Sequence, residues 1–299
     1  MISNTSSHRF IGILLISISA AAFGTLALLG RYAFADGMDA LTIMFFRFTL
    51  AAGLMFVLLI ARKESLPRGA ALYRLIGMGA MGYVGQAFSY LTALKYASSG
   101  LVALLLYLYP MFVAVLSFFI LREPITRLKI VALGIALLGT TLTVGPEGGQ
   151  LLGIFLAISA ALIYSLYIIV GSQVMKQVSA VQSSTVIFAS AGLMSGALMF
   201  INRPQLPQTN SGWWAIAAIV IVATVIPVVT FLAGLERVGP SNAAMLSTLE
   251  PVVTVILAAL FLNESPNPIT LVGGGLILVA VVMLAQSELR HPIDQSASL

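Results

Sequence analysis

Cysteine is absent from the 299 residues, so disulfides, thiolate nucleophiles and cysteine-ligated metals are excluded. Charge is almost as scarce. Asp, Glu, Lys and Arg make up 8% of the chain, whereas a soluble domain carries about a quarter. Histidine occurs only at positions 8 and 291, in the polar ends, which leaves no Ser–His hydrolase among the apolar stretches. The GxxxxGKS/T phosphate loop is missing too, which argues against an ATP-driven pump in this chain. Asp36, Asp39 and Asp294 fall in loops or the tail, so no intramembrane aspartate pair is expected. What remains is apolar: hydrophobic residues occupy 60% of positions, the composition of an integral membrane protein. The net charge of +5 is informative through its distribution among loops.

The stretch 240–264, PSNAAMLSTLEPVVTVILAALFLNE, is long enough to cross a bilayer yet carries Glu250 and Pro251 near its middle. A carboxylate there costs on the order of 3 kcal/mol and usually faces a protein interior or a wet cavity. Proline removes a backbone donor and bends the helix. Residues 99–123 echo this stretch at a spacing of 141 positions, with Pro110 on Pro251, Ala103 on Ala244, Glu123 on Glu264, and Gly134 on Gly275 just beyond. Leucine matches come cheaply in an apolar chain, but Pro, Glu and Gly in one register do not. Ile18-Ser19-Ala20-Ala21 recurs at 158–161, and Ala52-Gly53-Leu54-Met55 at 191–194. The chain is a duplication.

Apolar segments fall at about 10–30, 40–61, 72–94, 99–121, 127–144, 150–171, 180–202, 212–235, 240–262 and 267–286, ten in all and each near the length of a helical span. Ala33-Phe34-Ala35 resembles a leader cleavage site, but the run from Phe10 to Leu29 exceeds a leader's apolar core, and its loss would break the duplication. It reads as a retained helix. Lys and Arg crowd one set of loops, from Arg9 through Arg62, Lys63, Arg122 and Lys176 to Arg290, while the other set holds Arg31, Lys95 and Arg203. That bias predicts cytoplasmic termini. Five spans per half then invert the second half, with Glu123 inside, Glu264 outside, and the 145–150 linker joining repeats 1–145 and 146–299 on the outer side. Inverted repeats around a central cavity are the architecture of many secondary transporters.

Glu250 reads either as a substrate-amine partner or proton-coupling carboxylate, or as a protonated acid bonded within a helix interface. Arg47, deep in the second segment, either holds a substrate carboxylate, pairs with Glu250, or snorkels to the outer interface. In the third segment Gly77, Gly79, Gly82 and Gly85 offer a small surface for close helix approach, and Tyr83, Gln86 and Tyr90 share one face suited to a cavity wall. Tyr109 and Tyr164 invite the same reading, as do Tyr107 and Tyr167, although tyrosines also form interfacial belts. Ser247 and Thr248 line the approach to Glu250 or bond back along their own helix, and Asn242 reads as a cap. Pro110 and Pro251, at matched depth, are candidate hinges, with Pro227 a third bend.

Leu249-Glu250-Pro251, Leu262-Asn263-Glu264, Arg47 and Leu121-Arg122-Glu123 together resemble the drug/metabolite transporter superfamily and, within it, the EamA-type exporters, over residues 10–286. The resemblance implies export of small metabolites, most often amino acids, through a cavity alternately open to each side. It leaves energy coupling open, protons being one partner. No cofactor, metal or nucleic acid is implied, and the expected state is a monomer or weak oligomer in a bacterial inner membrane. Aromatic and Met side chains beside few charges favour an amphipathic cargo such as aromatic or branched amino acids, and a single buried Arg disfavours sugar phosphates. The competing readings are a passive channel, which lacks its expected ring of like residues, and a non-transporting scaffold, in which the buried polar groups would have no use.

Overall fold

A computed structural model describes residues 2–97, 99–144, 150–201, 204–261 and 268–290. The architecture is helical throughout the described residues: α1 Ile2–Ala35, α2 Ala40–Ala61, α3 69–93, α4 99–121, α5 Arg127–Val144, α6 Leu151–Val174, α7 Ala180–Ile201, α8 Asn210–Val238, α9 Pro240–Phe261 and α10 Pro268–Arg290. Eight of these are long and apolar enough to cross a membrane; α3 and α5 fall outside that set, so the expected count of ten spans is met only in part. Glu264, the Leu262-Asn263-Glu264 segment, Arg203, His291, Asp294 and the linker up to Gly149 lie outside the described residues.

Local chemistry sets the helix starts. Asp39 accepts the Thr42 N–H at 2.8 Å to open α2, and Thr209 caps α8 by accepting from Gly212. Ser179 and Gln182 exchange hydrogen bonds at the head of α7, a capping box. Gly239 separates α8 from α9 at φ +78°, a conformation that favours glycine.

Packing follows the duplication. Helix α5 lies along α10, α2 along α7, α1 along α8, and α3 along α6; α9 packs on α1, and α4 on α6. Exchanging each helix for the one five places away maps these pairs onto one another, the pattern expected of two related halves.

The halves also share their irregularities. Helix α3 contains a π-helical turn at Met78–Tyr83 and α8 contains one at Ile221–Val225, positions that overlap at the 141-residue spacing. Helix α4 breaks at Tyr107-Leu108 and resumes at Tyr109, while α9 tightens into a 3-10 turn at Ser247–Leu249 and resumes at Glu250. Both breaks precede the matched prolines, which have no N–H to give to the carbonyl four positions back. The π turns add a residue to the ladder and re-aim the side chains that follow.

Candidate functional site

The breaks in α3, α4, α8 and α9 bring the polar side chains of the interior together. Arg47 enters from α2 and is 8% exposed. Its Nε donates to Thr224 Oγ1 at 2.7 Å, and its Nη2 donates to the Ala223 carbonyl at 3.2 Å and the Tyr83 hydroxyl at 3.3 Å. Pro227 explains the second contact: without an N–H it cannot cap Ala223, four residues earlier, and the guanidinium serves that carbonyl. Thr224 in turn donates to Ile219, five residues back, which the π turn permits. Arg47 therefore does not snorkel. It also forms no ion pair with Glu250, which corrects that expectation.

An unbroken run of aromatic rings leads from this guanidinium into the middle of the bundle. Arg47 lies 5.7 Å from the Tyr83 ring centre. Phe48 meets Tyr83 at 5.0 Å, Tyr83 meets Tyr167 at 5.8 Å, Tyr167 stacks on Tyr164 at 6.0 Å, and Tyr164 meets Tyr109 at 4.8 Å. Most of these contacts are edge-to-face, the arrangement the ring quadrupole favours. Tyr109 anchors the far end, its hydroxyl donating to the Ala244 carbonyl of α9 at 3.3 Å.

Glu250 stands beside that end. Its carboxylate is within electrostatic range of Arg47 and of the phenols of Tyr83, Tyr90, Tyr107, Tyr109 and Tyr164. The residue is only partly buried. Among the described residues no side chain or backbone N–H donates to the carboxylate. Its own carbonyl accepts from Thr254 at 3.2 Å. The bonded helix-interface acid expected as one alternative is thus not what the described residues form.

The remaining candidates divide. Ser247 and Thr248 donate to Ala243 and Met245 on their own helix at 2.9 and 2.7 Å, the second of their two expected roles. Asn242 ties α9 to α8 by donating to the Val238 carbonyl at 2.8 Å, as a cap does. Gln86 and Tyr90 are part-exposed, and Gln86 makes no hydrogen bond among the described residues. Of the four glycines of α3, only Gly79 and Gly82 meet a neighbour closely, against α7 and Tyr167. Gly77 and Gly85 instead line an apolar groove of about 800 Å³ between α3, α6 and α7 that does not include Glu250.

Two further residues escaped the sequence reading. Thr224 holds Arg47, and it sits at the repeat position of Tyr83, which holds the same guanidinium; the 141-residue spacing was the available signal. Gly24 lets α1 close on α9 beside Glu250: a Cβ there would stand 2.9 Å from Val253 Cβ and 3.0 Å from the Glu250 carbonyl. At the 140-residue spacing of the first helices, Gly24 matches Tyr164, which packs on Tyr109, the repeat partner of Glu250. Each half thus supplies a ring, and the second alone supplies the carboxylate: Tyr109 stands where the second half has Glu250, and Gly24 where it has Tyr164.

Comparison with known proteins agrees with this duplicated layout. The model of the EamA-like transporter family matches twice, over residues 10–145 and 151–286. The uncharacterized transporter YcbK of Bacillus subtilis is 23% identical over 93% of this chain and 94% of its own. An uncharacterized transporter of Archaeoglobus fulgidus is 27% identical over 90% of this chain and 94% of its own. A solved crystal structure superposes with a TM-score of 0.79 at 24% identity, covering 94% of this chain and 96% of that one, a likeness of fold.

Proposed function

The chain belongs to the EamA-like transporter family, and on that premise we propose that it is a secondary carrier exporting small amphipathic metabolites by alternating access. Neutral amino acids with aromatic or branched side chains are the leading cargo, with protons as the candidate coupling ion. The observation that carries this reading is the Glu250 carboxylate, unbonded among the described residues, within electrostatic range of five phenols and placed where α9 breaks. An intramembrane carboxylate without a structural partner is costly unless it binds something that comes and goes. Tyr109 and Tyr164 present apolar faces to the cargo's body, while Tyr83, Gln86 and Tyr90 of α3 complete the walls.

Alternating access also supplies a role for the matched prolines. Pro110 and Pro251 act as hinges in the proposed motion, each beside a turn in which regular hydrogen bonding is already interrupted. The proposed topology has ten spans as two inverted five-helix repeats, 1–145 and 146–299, in a bacterial inner membrane with both termini in the cytoplasm.

Counterflow tests the proposal. Liposomes holding the purified protein are loaded with one unlabelled amino acid and challenged with the same labelled compound. Accumulation that depends on internal phenylalanine or leucine is the expected result. Absence of accumulation for every amino acid, with and without a proton gradient, would remove the amino-acid cargo.

A further inference from the structure

The two charged groups of the interior differ in what they have left to offer a ligand. Arg47 has its Nε hydrogen on Thr224 and both Nη2 hydrogens on the Ala223 carbonyl and the Tyr83 hydroxyl. A two-point grip on a carboxylate uses either the Nε edge or the edge between the terminal nitrogens. The three contacts on Nε and Nη2 take at least one hydrogen from each of those edges, which leaves a single-point contact from Nη1. Glu250 is the converse. Its carboxylate accepts nothing from the described residues, the residue is partly exposed, and it lies within electrostatic range of Tyr109 and Tyr164, members of the aromatic run, and tyrosine rings attract cations.

From this asymmetry we propose that the site reads the cargo's ammonium group through Glu250 and the tyrosines, and that the cargo's carboxylate is dispensable. The substrate class is a primary amine on an aromatic or branched apolar body, of which the amino acid is one member and the amine or amide lacking a free carboxylate is another. This rests on Glu250 lining the transport site, as in the function proposed above. It goes further in assigning which end of the molecule is recognised. The carboxyl end then faces the cavity's water and makes at most one hydrogen bond to Arg47.

The test is ligand-induced thermal stabilisation of the purified full-length protein by phenylalanine, phenylalanine amide, tyramine and N-acetylphenylalanine. The amide and tyramine are expected to stabilise at concentrations within about threefold of phenylalanine or lower, and N-acetylphenylalanine to need at least about tenfold more, the scale of one lost charged hydrogen bond. Glu250→Gln is expected to abolish the amine-dependent shift while unfolding at a temperature near that of the parent, and Glu250→Asp to restore part of it. Arg47→Gln is expected to lower the unfolding temperature of the ligand-free protein without changing the ratio between amide and acid. The proposal is overturned if N-acetylphenylalanine stabilises as well as phenylalanine, if none of the amines stabilises, or if Arg47→Gln weakens phenylalanine at least tenfold and spares tyramine. Stabilisation by amines alongside failed phenylalanine counterflow would uphold the recognition of the ammonium and remove only the amino-acid cargo.

Discussion

Arg47 Nε donates to Thr224 Oγ1 at 2.7 Å, joining α2 to the π turn of α8, and Tyr83 on the matched π turn of α3 accepts from the same guanidinium. One residue of the first half thus ties together equivalent irregularities in both. Thr224→Val keeps the shape and removes the acceptor. It should destabilise the protein by about 1 kcal/mol, the scale of a hydrogen bond between membrane helices. Arg47→Gln should cost more, since it disturbs three donated hydrogen bonds where Thr224→Val removes one of them. In a double-mutant cycle the two losses should be strongly non-additive; simple additivity would mean the contact carries no energy.

Glu250→Gln should leave the fold and the unfolding temperature close to the parent's, because the described residues give its carboxylate no bond to lose. If protons couple through this group, transport by the variant should lose its dependence on pH. A transport-competent variant with the parent's pH profile would remove the coupling role.

Pro110→Ala and Pro251→Ala each return an N–H to a helix that now breaks just before the proline. Turnover should fall more than apparent substrate affinity, as measured by initial rates across substrate concentrations. A change confined to affinity would assign the prolines to packing.

Gly79 and Gly85 lie on the same helix and should respond oppositely to alanine. A Cβ on Gly79 would stand 2.0 Å from Ser190 Oγ and 2.3 Å from the Ile187 carbonyl, so α3 and α7 must separate. Gly79→Ala should cost roughly 1–3 kcal/mol. Gly85 has nothing within 4 Å of such an atom, and Gly85→Ala should be neutral or stabilising by about 0.5–1 kcal/mol. Equal unfolding temperatures for the two variants would contradict the packing described.

Asp36, just past α1, accepts from the Thr209 hydroxyl and from the backbone N–H groups of Gln208 and Thr209. The Thr209 hydroxyl bond is the main cause holding its carboxyl below the usual range. A group whose folded value is lowered stabilises the fold above its unfolded value of about 4, and that contribution fades as the pH falls through the folded value. The gap in unfolding temperature between the parent and Asp36→Asn should therefore be widest near neutral pH and narrow on acidification. A gap constant down to about pH 3 would show that Asp36 acts through shape alone.

Composition and spacing alone determined the helical membrane character and the duplication, because a chain with 8% charged residues has few other ways to satisfy its backbone than in apolar helices. The matched prolines and the intramembrane Glu250 and Arg47 were equally legible, since each violates the apolar pattern around it. What each polar group does was not legible. Arg47 could reach Glu250, the interface or a ligand on sequence grounds; the π turn and Pro227 of α8, 177 residues away, placed Thr224 and an uncapped carbonyl within its reach. Ser247 and Thr248 turned back on their own helix, whereas Glu250 two residues later found no donor among the described residues. Those outcomes rest on angstrom-scale register between helices distant in sequence, set by close approaches such as Gly24 on α9 and Gly79 on α7. Periodicity assigns a residue to a face; only the packed bundle decides what that face meets.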